Sequence, residues 1–92
     1  MQTPTRPGSR AKEWTVRIQV TEDGDDTWAR AVLTTDNGTE VIGTGVARRN
    51  PVDRPVPEIG DELATSRALE HLSHRLHDVA SSDIAHLAGP AR

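Results

Sequence analysis

The chain has 92 residues, 11 Lys and Arg against 14 Asp and Glu (net charge -3), two Trp, and no Cys, Phe or Tyr. That length holds one domain at most, and the missing cysteine excludes disulfides, thiol catalysis and thiolate zinc sites. The acidic balance disfavours a general nucleic-acid binder, and the sequence shows neither a membrane-length apolar run nor a secretory signal, so a cytoplasmic protein without a membrane partner is expected.

Residues 1–12, "MQTPTRPGSRAK", carry Arg6, Arg10 and Lys12 among prolines and a glycine and are read as a disordered basic tail. The single domain is expected over 13–88. It opens with "WTVRIQV", where Trp14, Val16, Ile18 and Val20 alternate with Thr15, Arg17 and Gln19, the pattern of a half-buried strand. The acidic loop "EDGDD" leads to "TWARAVLTT", in which Ala29, Ala31 and Leu33 alternate with Trp28, Arg30 and Val32. "DNGT" then signals a two-residue hairpin, since Asn-Gly suits the positive φ of a type I′ turn, and "EVIGTGVA" is the third strand. A loop at Asp23–Asp26 sets Val20 against Ala29, Ile18 against Ala31 and Val16 against Leu33. A turn centred on Asn37-Gly38 sets Leu33 against Ile42, Ala31 against Thr44 and Ala29 against Val46. Arg17, Gln19, Trp28, Arg30, Val32, Gly43 and Gly45 then share the opposite face.

The crossover carries Pro51, Pro55 and Pro57, which fix φ and lower the entropy of the unfolded linker. A helix is expected from Gly60 or Asp61, with Asp61 and Glu62 in its first turn, where the helix dipole favours negative charge by roughly 0.3–1 kcal/mol each. Ala64, Ala68 and Leu72, widened by Thr65, Leu69, Leu76 and Val79, form its apolar stripe. "SSD" offers an optional break, at which Ser81 or Ser82 caps a last turn that carries Ile84 and Leu87, and residues 89–92 are expected to be disordered. The fold class is α+β: a three-stranded antiparallel β-meander with one long C-terminal helix packed on one face. A body of about 75 residues buries only about 60% of its surface, so this thin aliphatic core makes a homodimer the expected state.

The stretch "GTGVARRNPVDRPVPEIGDELATSRALEHL" resembles the hallmark of a family of small uncharacterised bacterial proteins whose domain has no assigned function. The likeness covers about residues 12–87. It implies a fold like the double-stranded-RNA-binding domain, without that domain's first helix, and brings no activity or functional residues. Duplex RNA is not expected as a partner. The final helix opens with Glu58, Asp61 and Glu62 and has no lysine, and the hairpin tip "EDGDD" is acidic. Duplex affinity comes mostly from neutralising phosphates.

"HLSHRLH" places His71 and His74 on one helix face with Asp78, the weak candidates for a metal site. Spacings of three drift around the helix, so the histidines cannot all converge, and a solvated polar face with no metal is the expected reading. "GTG" is not a dinucleotide loop, because no helix follows directly. No serine has a base and an orienter, and the loop carboxylates have nothing to tune them, so neither an enzyme nor a cofactor is expected. The expectation is a non-enzymatic interaction or regulatory module that self-associates, or holds a protein partner of unknown identity, through Arg17, Trp28, Arg30, Val32, Gly43 and Gly45. The alternative is a nucleic-acid accessory protein using Arg48, Arg49, Arg54 and the basic tail as anion contacts.

Overall fold

The computed structural model describes residues 7–88. The ends at 1–6 and 89–92, parts of the expected disordered tails, lie outside the described residues. Three antiparallel strands, β1 (Thr15–Asp23), β2 (Asp26–Thr34) and β3 (Glu40–Arg48), form a sheet in the order β1-β2-β3. One helix, α1 (Pro57–Ala88), follows.

The first hairpin follows from its turn. Gly24 takes φ +61° at the first central position of a two-residue loop, where a type II′ turn favours glycine. The pairs Val20–Ala29, Ile18–Ala31 and Val16–Leu33 form as the alternation requires.

The second hairpin corrects the expected register by one residue. Thr35 N–H donates to the Thr39 carbonyl at 2.9 Å and Gly38 N–H to the Thr35 carbonyl at 3.0 Å. Asp36, Asn37 and Gly38 therefore make a three-residue loop, with Gly38 alone at positive φ, +85°. The Asn37 Oδ1 accepts the Thr39 N–H at 3.2 Å, which fastens the loop. Leu33 consequently pairs with Val41, Ala31 with Gly43 and Ala29 with Gly45. Since a one-residue slip turns every side chain over, Gly43 and Gly45 face the helix, while Ile42, Thr44 and Val46 take the open face.

The glycines are what the helix docks on. A Cβ on Gly43 would lie 2.7 Å from the Leu72 Cα, and one on Gly45 would lie 2.5 Å from the Ala68 backbone nitrogen. With Ala29, Ala31, Ala47, Ala64 and Ala68 buried around them, backbone meets backbone, and Leu33, Val41 and Leu72, with Leu76 packed against them, add bulk to this core. Ala64 and Ala68 cover Gly45 while Ala68 and Leu72 cover Gly43, so α1 runs antiparallel to β3.

The helix starts earlier than expected. Pro57 is its first residue, a position where fixed φ helps and the missing N–H costs nothing. Glu58 therefore lies in the first turn, and Asp61 and Glu62 fall in the second. The long helix is unbroken and the optional break at "SSD" is not taken, because serine and aspartate weaken a helix by only a few tenths of a kcal/mol each and no proline or glycine interrupts the run from 61 to 88. A helix of this length spans about 48 Å, whereas nine-residue strands span about 30 Å. Residues 77–88 thus project past the end of the sheet, where Trp14 and the β2–β3 loop lie.

Candidate interaction surfaces

The open sheet face is laid out by the two registers. Thr21, Trp28 and Val46 form one row, Gln19, Arg30 and Thr44 the next, and Arg17, Val32 and Ile42 the third. Trp28 stands on the central strand yet is 49% exposed. Val32, Ile42 and Val46 are half-buried. Among the described residues neither Arg17 nor Arg30 has an ion pair. A shallow depression lined by Glu13, Thr15, Arg17, Val32 and Thr34 opens at one end. The surface is an apolar strip with two uncommitted guanidiniums. Four of the six residues expected there are in place, and Ile42 and Val46 replace Gly43 and Gly45.

A cleft of about 280 Å³ opens between the β1–β2 tip, the crossover and the start of α1, and Arg48, Arg49 and Arg54 line it. Two of these expected anion contacts are already occupied. Arg48 pairs with Asp26 at 3.2 Å. Arg49 pairs with Asp25 and also donates to the carbonyls of Asn50, Pro51 and Asp53. Its task is to clamp the crossover to the hairpin tip, and the Arg49 N–H reinforces this by donating to the Asp25 carbonyl at 2.8 Å. Arg54 is the one cleft arginine without an ion pair among the described residues.

The histidine face is also put to structural use. His71 Nδ1 accepts the Thr44 N–H at 2.9 Å, and the Arg67 guanidinium donates to the Val46 carbonyl at 2.7 Å. Both β3 groups point away from β2, so these side chains cap an edge that would otherwise be open. His71, His74 and Asp78 do not converge, and among the described residues no group of three His, Asp or Glu is placed to hold a metal ion.

At the far end of β1, Glu22 meets the helix. Its carboxyl is held above the usual glutamate range, first by a hydrogen bond shared with Asp61 and then by the Asp61 charge, with slight desolvation and the Glu58 charge adding to it. Asp61 Oδ1 is enclosed and has no hydrogen-bond partner among the described residues. Two ionised carboxylates repel, whereas a protonated Glu22 can donate to Asp61, which is why the pair favours the protonated form.

The sequence matches the Rv2632c-like family over residues 12–92. Proteins of Mycobacterium bovis (Mb1767) and Mycobacterium tuberculosis (MT1780), both described as uncharacterized, are each 47% identical over 73 residues, covering 79% of this chain and 77% of theirs. The chain belongs to the Rv2632c-like family. The crystal structure of Rv2632c superposes with a TM-score of 0.83 at 35% identity, over 92% of this chain and 100% of that one. The family carries no named activity, so any role rests on the surfaces above. Among the described residues no helix is long and apolar enough to cross a membrane.

Sequence reasoning missed the edge caps, the Arg49 clamp and the Glu22–Asp61 contact. All three join residues more than twenty positions apart, and nothing in their local patterns marks them. Ile42 and Val46 were within reach, because the small residues of β2 and α1 call for small residues on the facing side of β3.

Proposed function

We propose that this chain is a small non-enzymatic interaction module that binds a protein partner through its open sheet face. The observation that carries the reading is Trp28, half-exposed in the middle of the central strand and adjoined by further apolar side chains, since an exposed apolar patch rimmed by polar residues marks an interaction site. Around it Val32, Ile42 and Val46 supply an apolar floor. Arg17 and Arg30 favour a partner segment that places carboxylates beside apolar side chains. Tryptophan and arginine are the residues that most often dominate an interface, truncation costing about 2 kcal/mol or more.

The test is affinity capture from the source cells with the wild-type chain, Trp28→Ala and Arg30→Glu. Both variants alter exposed positions and should keep the helix signal and cooperative melting of the wild type. A specific partner should be retained roughly 30-fold less well by Trp28→Ala. Folded variants with the wild-type capture profile would remove the open face from consideration. The nucleic-acid alternative draws no support from the occupied Arg48 and Arg49.

A further inference from the structure

The cleft between the β1–β2 tip, the crossover and the start of α1 is a second concavity, separate from the open face. Thr27 and Ala47, both buried, lie at its base. Val56, Ile59 and Leu63 supply an apolar wall, and Ile59 and Leu63 remain 53% and 45% exposed. Their own chain therefore leaves apolar surface uncovered beside a hollow, the setting in which small ligands are held. At about 30 Å³ for each water-sized group, the 280 Å³ of this cleft takes about nine non-hydrogen atoms.

The charges around the cleft narrow the chemistry of what fits. Arg48 is paired with Asp26 and Arg49 with Asp25, and Glu22 shares a hydrogen bond with Asp61. Among the described residues Asp53 and Arg54, which both line the cleft, form no ion pair. The bonds that Asp53 does make are backbone ones: its carbonyl accepts from Arg49, and its N–H donates to the Asn50 carbonyl at 2.9 Å. One uncommitted carboxylate thus stands beside one uncommitted guanidinium. A phosphate is poorly served here, because Asp53 and Glu58, in the first turn of α1, repel a second negative charge. The helix start gives it little help, since Pro57 has no N–H and the Ile59 N–H already donates to the Val56 carbonyl at 3.0 Å. A carboxylate alone leaves Asp53 unpaired, and an ammonium alone leaves Arg54 unpaired. A small molecule that carries both groups satisfies both.

We propose that this cleft binds a free α-amino acid with an apolar side chain, its carboxylate on Arg54, its ammonium on Asp53 and its side chain against Val56, Ile59 and Leu63. The site is formed before the ligand arrives. Pro55 and Pro57 fix φ in the crossover wall, and Arg49 ties Asn50, Pro51 and Asp53 to Asp25. Binding therefore orders little chain, which favours a ligand too small to offset a large ordering cost.

Amide chemical shifts of the isotope-labelled full chain test this, with leucine and phenylalanine titrated separately to about 20 mM, well above a Kd of about 1 mM. At least one of them should give saturable shifts centred on Arg54, Val56, Ile59 and Leu63. Arg54→Gln and Asp53→Asn should each weaken binding about tenfold, the loss of one charge-assisted hydrogen bond. Both positions are exposed, so melting should match the wild type. Isocaproate, which is leucine without its ammonium, and isoamylamine, which is leucine without its carboxylate, should bind about tenfold more weakly than leucine. Trp28→Ala should bind as the wild type does, which keeps this result separate from partner capture at the open face. No saturable shift with either amino acid, binding indifferent to both charge variants, or equal binding of isocaproate or isoamylamine would overturn the proposal. Shifts that vanish in Trp28→Ala would place the ligand on the open face and overturn it too.

Discussion

Glu22 and Asp61 illustrate how a single contact can make stability depend on pH. The Glu22 carboxyl is raised above its ordinary value of 4.5 by Asp61, so the folded chain holds that proton more tightly than the unfolded chain does. The contact therefore stabilises fully below the unfolded value, and the stabilisation is lost as pH rises through the higher folded value. Glu22→Gln keeps a donor beside Asp61 at every pH. Urea midpoints of the two proteins should agree in acid and diverge toward neutrality, with the variant the more stable. A constant offset across the range would show that the proton is not shared. The sequence shows the acids at both places, but not that a β1 side chain and a second-turn helix side chain meet.

At the scale of elements, much of the fold was legible and one register was not. The alternation in "WTVRIQV" and the Gly24 turn lead to the β1–β2 pairing as found, and Ala64, Ala68 and Leu72 are the buried line of α1. The β2–β3 register was misread because Asn-Gly suits either a two-residue loop or the end of a three-residue one. The choice is made by what the helix can accept. Placing Ile42 and Val46 inside would push α1 off a sheet whose central strand offers the small Ala29 and Ala31 between Thr27 and Leu33, whereas Gly43 and Gly45 let it settle. Gly43→Ala should therefore destabilise by about 1–3 kcal/mol, the ordinary cost of overpacking, or more, since backbone cannot swing aside as a side chain can. Chemical denaturation measures it, and a loss below about 0.5 kcal/mol, the scatter of neutral surface changes, would mean that the helix floats free of the strand. The helix start was missed for a related reason. Three prolines read as a linker, yet the last of them is suited to the first helical turn.

Taken whole, the molecule is a slab 19 Å thick along its shortest axis, one helix on one sheet, with more helix than the sheet can cover. Among the described residues no large side chain is fully buried, so much of the stability comes from close backbone approach over a small area. In such a chain the projecting end of α1 contributes nothing to its own core: Ile84 and Leu87 are 68% and 85% exposed. A chain ending at Ala80 should fold to the same β-β-β-α body and melt, when dilute, within a few degrees of the full chain. Thermal scans of the two chains by circular dichroism check this, and a shortened chain that melts far lower would mean that the overhang supports its own sheet.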